Sequence, residues 1–341
     1  MLTPTLTPYR TIETHMTESL ARSPRSRPAP RARWASLALF AAILAGCGGG
    51  QESDDTVVVD GSSTVFRISR AAQEAFAEAE PSVAVVVDNH GTGGGFIRYL
   101  QNEVDLVGAS RKAKPEEEAK AKAQGIDWTR FVVGYDGITV VVHPSNDFVK
   151  DLTVAQLKRV WGPDGDARTW KDLDPAWPDR PIRLYCPDKN SGTFEFFTAA
   201  ICGKARSQKE DVQSSPDDNV LVRGVSGDAD AMGYFGYAYY KANEELLRAV
   251  PIRKDEATPA VLPSPETILA KAYVPLSRPL YLYAKKSALR RSGVASFVRF
   301  YLGKVATFAA KGGYVAPTAE DDEANRRALG PAAVEAPPPD A

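Results

Sequence analysis

The sequence predicts an α/β protein, a largely parallel sheet with helices on both faces, and three observations carry that expectation. The strand-like runs at 56–59, 83–87 and 138–142 are almost continuously β-branched or apolar, as suits strands buried on both faces rather than half-exposed ones. Segments of helical pattern alternate with these runs, the order of successive βα units. Glycine and hydroxyl residues gather between strand and helix at three separate places.

Taken in order, a strand over 56–59 leads to a helix over 69–79 with Ala71, Ala72, Ala75, Phe76 and Ala79 on one face. A second strand over 83–87 precedes the glycine loop 91–95 and a helical stretch over 96–101. A short strand at 104–107 is followed by a helix over 115–124 rich in Glu, Ala and Lys, and strand 138–142 ends at His143-Pro144. A second βα series comprises helix 154–160, strand 182–185, helix 193–201 and a strand-and-helix pair over 231–240. A late strand over 279–283 and a terminal helix over 295–309 complete the pattern. Beyond Gly313 the composition turns acidic, then Ala- and Pro-rich, and 317–341 is expected to be disordered.

At 341 residues the chain is long enough for one large or two medium domains. A formal net charge of −1 excludes a strongly cationic nucleic-acid binder. Six arginines against two glutamates give residues 1–46 a surplus of four positive charges, so the remainder carries −5. An acidic body must hold an anion by local donors, since its overall field does not attract one. The basic stretch runs into an apolar segment, 34–44, too short to span a bilayer and ending in small residues, as a secretory signal does. Leu44-Ala45-Gly46-Cys47 resembles the bacterial lipobox, which implies a signal peptide over 1–46, acylation of Cys47 and a Gly-rich tether over 47–55. Met16 is an alternative start. Cys186 and Cys202 remain, and both a bridge and two free thiols stay open.

Three segments carry the candidate chemistry: 60–66 (Asp-Gly-Ser-Ser-Thr-Val-Phe), 90–96 (His-Gly-Thr-Gly-Gly-Gly-Phe) and 190–194 (Asn-Ser-Gly-Thr-Phe). Each is expected where a strand gives way to a helix, so that unpaired amides and hydroxyls face outward at the positive end of the helix dipole. That arrangement suits an anion. No Gly-Lys-Ser/Thr follows the glycines, so none is a P-loop. His90 and His143 stand apart without ligand spacing, and no metal or cofactor is expected.

The wording and order of these segments resemble the phosphate-binding proteins of bacterial ABC phosphate importers. The resemblance covers about residues 56–315 and is densest at 60–66, 91–95, 108–111 (Gly-Ala-Ser-Arg), 135–139 (Tyr-Asp-Gly-Ile-Thr), 191–193 and 233–240 (Gly-Tyr-Phe-Gly-Tyr-Ala-Tyr-Tyr). It implies a two-lobed, type II periplasmic-binding-protein fold, in which two mixed sheets flanked by helices are joined by a two-strand hinge. The first lobe would hold 56–137 and 276–316, and the second 138–275. Position by position it implies that Thr64, Val65 (by its amide), Thr92, Ser191, Gly192 and Thr193 bind phosphate, with Ser63 an added donor.

Two departures bear on charge. The family's best-known pattern has a carboxylate where this chain has Arg111, and an arginine near 187–190, where it reads Pro-Asp-Lys-Asn. The cation is therefore expected at Arg111, with Lys189 next in line. Asp136 becomes the candidate acceptor that distinguishes protonated phosphate from sulfate. The chain is expected to be a monomeric carrier rather than an enzyme, partnered by phosphate, an ABC permease and, through lipid, the membrane. A binder of sulfate or a phosphonate is the alternative within the fold. A secreted hydrolase using Ser63 or Ser191 lacks a histidine placed by any motif.

Overall fold

The computed structural model describes residues 56–330. The expected signal peptide, Cys47, the tether and 331–341 lie outside the described residues. The chain runs β1 (Val57–Gly61), α1 (Ser63–Ala79), β2 (Val85–Val87), α2 (Gly91–Leu100), β3 (Leu106–Ala109), α3 (Pro115–Ala123) and β4 (Trp128–Val142). It continues through β5 (Leu152–Thr153), α4 (Val154–Trp161), β6 (Arg183–Pro187), α5 (Gly192–Phe197), β7 (Gln213–Ser215), α6 (Asp218–Ser226), β8 (Ala231–Gly236), α7 (Tyr237–Ala242), β9 (Arg248–Ala249) and β10 (Ile252–Arg253). The last stretch holds α8 (Pro265–Leu269), β11 (Ser277–Lys285), α9 (Ser292–Gly303), α10 (Val305–Gly312) and α11 (Ala319–Leu329).

The main sheet has the order β2-β1-β3-β11-β4-β8-β6-β7, with β9 also on β4, and β5 pairs β10 separately. Strands are parallel in both wings, where β1 pairs β2 and β3, and β6 pairs β7 and β8. The middle is antiparallel. The first part of β4 lies along β11, from Trp128 opposite Lys285 to Gly137 opposite Ser277. Its second part turns to β8, from Ile138 opposite Gly236 to Val142 opposite Met232. One 15-residue strand thus threads both wings, so the two expected sheets form a single continuous path. The strand expected at 138–142 is only its second part, because Gly134, Asp136 and Gly137 read locally as turn residues.

Each wing is covered on both faces, as the β-branched runs require. On one face of the first wing, Val65, Ile68, Ala72 and Phe76 of α1 meet Val57, Val59, Phe297, Tyr301 and Phe308. Phe96 and Tyr99 of α2 cover the other face with Val107 and Tyr283. In the second wing a separate core gathers Val140, Trp161, Phe194, Phe197 and Tyr234. Leu221, Val222 and Val225 of α6 close its far side. Cys186 and Cys202 are buried free thiols in that wing.

Two expectations about helices change. The terminal helix over 295–309 is two helices, α9 and α10, broken at Lys304. The tail expected to be disordered from 317 instead forms α11 as far as Leu329. Thr318 and Asp321 form a capping box, and Asn325 supplies what composition hides. Its Oδ1 accepts from Val132 N at 3.0 Å and its Nδ2 donates to Val132 O at 2.8 Å. Tyr135 likewise exchanges backbone hydrogen bonds with Val315 at 2.8 and 2.9 Å. These contacts pair the edge of β4 that β8 does not reach, where exposed amides and carbonyls would otherwise go unpaired.

Candidate anion-binding site

The first wall is built where β1, β3 and α2 converge. Gly61 adopts φ +135°, and a side chain there would run into the Gly108 carbonyl of β3, so only glycine fits. The chain then turns sharply, Ser62 N donates to Gly108 O at 2.8 Å, and Ser62 Oγ caps α1 by accepting from Thr64 N. The helix therefore starts at Ser63 rather than 69, and Ser63, Thr64 and Val65 form its first turn. Asp60, buried at the end of β1, accepts from His90 N at 3.0 Å, His90 Nδ1 at 2.8 Å and Arg98 Nη1 at 2.7 Å. This carboxylate fixes the 90–95 segment against β1. The glycines there are not a loop but the first turn of α2, because Gly95 lies against Gly61 with no room for a Cβ. Tertiary contact overrides their poor helix propensity.

Thr92 is buried, and its Oγ1 lies 3.2 Å from both Ser110 Oγ and Ser110 N at the end of β3. Arg111 follows. Its Nη1 and Nη2 each donate to Glu117 at 2.8 Å, its guanidinium stands 5.6 Å from the Phe96 ring centroid, and Nη2 approaches Gly93. Burial pushes the Glu117 carboxyl up, but hydrogen bonds from Arg111 and the Lys114 amide outweigh it and hold the group below its usual range.

The second wall is the start of α5. Ser191 Oγ accepts from Thr193 N at 3.2 Å and caps the helix. Gly192 faces α1 directly: a Cβ there would lie 2.5 Å from Thr64 Oγ1 and 2.6 Å from Ser63 Oγ. The structure thus brings Ser63, Thr64, Ser191, Gly192 and Thr193 together although they lie more than a hundred residues apart. Val65 packs inward on Gly108, Thr92 and Arg111 stand at the glycine turn, and Lys189 is exposed.

Between the walls lie Asp136 of β4 and Arg278 of β11, cross-strand partners. Arg278 Nη2 donates to Thr64 Oγ1 at 3.0 Å, Asp136 Oδ2 at 3.2 Å and Gly192 O at 3.4 Å, and Nε reaches Asp136 Oδ2 at 3.3 Å. The guanidinium lies 3.8 Å from the Phe196 ring centroid. Asp136 is 1% exposed, and its Oδ1 finds no hydrogen-bond partner among the described residues. Burial pushes this carboxyl up, against the pull of Arg278. Asp218, at the start of α6, is also pushed up by burial, to about 6, with Arg67 opposing. Among the described residues no cluster of His, Cys, Asp or Glu could hold a metal ion.

The family model described as a PBP superfamily domain matches residues 48–305. The chain belongs to the PBP superfamily. Protein SphX of Synechococcus elongatus is 38% identical over 261 residues, covering 76% of this chain and 77% of that one. The phosphate-binding protein PstS of Staphylococcus saprophyticus is 37% identical, covering 84% of this chain and 90% of its own. A crystal structure of a possible phosphate binding protein from Planctomyces limnophilus superposes with TM-score 0.77 at 42% identity, over 82% of this chain and 99% of that one.

In this PBP superfamily chain the residue that sequence reading missed is Arg278. Its one local signal is a charged residue opening an otherwise apolar strand, Ser277-Arg278-Pro279-Leu280. Nothing nearby in sequence shows that it faces Thr64 and Gly192.

Proposed function

We propose that the chain binds inorganic phosphate between two lobes, 56–137 with 276–316 and 138–275, and hands it to an ABC permease. The observation that carries this reading is the meeting of two hydroxyl-bearing helix starts, Ser63 to Val65 and Ser191 to Thr193, around a largely buried guanidinium. Hydroxyls and amides at helix starts are donors suited to an oxyanion, and the PstS and Planctomyces relatives are described as phosphate binders. Thr64, Ser63, Thr92, Ser191 and Thr193 act through hydroxyls, and Val65 and Gly192 through amides. Arg111, oriented by Glu117, adds charge at the glycine turn.

Asp136 sets selectivity in this scheme. Its unpartnered Oδ1 needs a donor, which HPO₄²⁻ and H₂PO₄⁻ carry and sulfate does not. Binding, not catalysis, is the role these residues fit. The lipobox at 44–47 supports an extracytoplasmic protein anchored through Cys47. Calorimetric titration with phosphate, sulfate and methylphosphonate tests the reading. Tight phosphate binding with sulfate at least about 100-fold weaker is expected, since an unpaired buried acceptor costs roughly 1–3 kcal/mol and sulfate adds repulsion. Equal affinity for sulfate would remove Asp136 from the scheme, and no phosphate heat would remove the scheme itself.

A further inference from the structure

Resting on the phosphate reading above, we infer that Arg278 is a second cation of the site, delivered by the hinge strand, and that it ties the two lobes through contacts of its own.

Its contacts fall on three separate parts of the chain. Thr64 Oγ1 belongs to the start of α1, Gly192 O and the Phe196 ring to α5, and Asp136 to β4. A guanidinium suits this position because its flat face stacks on an aromatic ring while its edges donate in fixed directions. Asp136 Oδ2 takes both Nε and Nη2, which sets the plane of the fork and offsets its charge. The cation's backbone pairs with that of Asp136, so it stands on the crossing between lobes rather than on either wall.

Two donors remain for an anion. Nη1 makes no hydrogen bond among the described residues, whereas Nη2 is spent on Thr64, Asp136 and Gly192. Thr64 Oγ1 accepts from Arg278, so its own proton stays free to donate. A phosphate seated between the helix starts would take a charged N–H and a hydroxyl polarised by that same cation. One side chain therefore senses the ligand's charge and holds both walls.

The test uses the full chain as wild type, Arg278→Ala, Arg278→Lys and the control Arg70→Ala, an exposed residue on α1. Phosphate affinity is read by calorimetry and the radius of gyration by small-angle scattering, with and without phosphate. Losing the charged N–H and the polarisation of the Thr64 hydroxyl should weaken phosphate binding about 10–100-fold in Arg278→Ala, with only partial recovery in Arg278→Lys and none lost in Arg70→Ala. Without phosphate, Arg278→Ala should show a larger radius than wild type. Affinity within about threefold of wild type, or an unchanged radius, overturns the inference. Should wild type itself fail to bind phosphate, the phosphate reading falls, and with it the cation role, while the scattering comparison still decides the tie. If Arg278→Ala does not fold, Arg278→Met with Asp136→Asn removes both charges together, and its radius without phosphate decides the same point.

Discussion

Arg111 and Arg278 are each held by a carboxylate, yet the two pairs are built in opposite ways. Arg111 meets Glu117 six residues on, in a bidentate pair whose arginine side chain is 33% exposed. Arg278 meets Asp136 from 142 residues away, with side chains 16% and 1% exposed. The first pair is local and partly wet, so it can form and break without disturbing the fold. The second is buried on the strands that join the lobes, so its electrostatics and the fold are one matter. Ion pairs of the same chemistry thus differ in kind, one at a partly exposed turn and the other part of the frame.

The largest expected effect separates these two roles. Asp136→Ala leaves a buried guanidinium without its counter-charge and should lower stability by about 3–5 kcal/mol. Glu117→Ala removes a partly exposed partner and should cost about 1 kcal/mol or less. Urea unfolding at neutral pH without phosphate measures both. Similar losses would mean that the buried pair is not part of the frame.

Binding should order the arginines next. Arg111→Ala should weaken phosphate binding by about 10–100-fold, because one charge-assisted contact of roughly 1.5–3 kcal/mol is lost. Arg111→Lys should recover part of it, since an ammonium keeps the charge but not the fork that Glu117 orients. An affinity within about threefold of wild type for Arg111→Ala would leave Arg278 as the cation of the site.

The same contrast explains how far the sequence could be read. The three strand-to-helix junctions were legible because each writes its chemistry into consecutive residues, as in Gly61 for the turn and Ser62 for the cap. The pairing of Arg111 with Glu117 has no local mark, because Glu117 stands among other charged residues of α3. The elements themselves were mostly visible in apolar runs, and their starts were not. The start of α1 and the glycine turn of α2 depend on Gly108, Asp60 and Gly95, contacts made across strands. α11 was hidden because its order comes from one asparagine pairing a bare strand edge, in a segment whose composition is otherwise solvated. Arg278 was hidden for the same reason. Its partners are set by topology, and no local pattern records them.

The smallest effect is the sharpest check on the local pair. Glu117→Gln keeps an oxygen to accept from Lys114 N but drops the charge that faces Arg111. The folded protein holds the Glu117 carboxyl below its ordinary value, so the folded state favours the ionised form more than the unfolded chain does. Stability from this source is therefore present above the unfolded value, near 4.5, and is lost as pH falls through the lower folded value. At pH 7 the variant should melt below wild type by about 2–4 °C, for a loss of up to about 1 kcal/mol. The gap should narrow as pH drops under about 4.5 and vanish at lower pH, where both side chains are neutral. Thermal melts of the two proteins across pH 3–8 measure it. A gap that stays constant would show that Glu117 supports α3 by shape and capping rather than by its charge on Arg111.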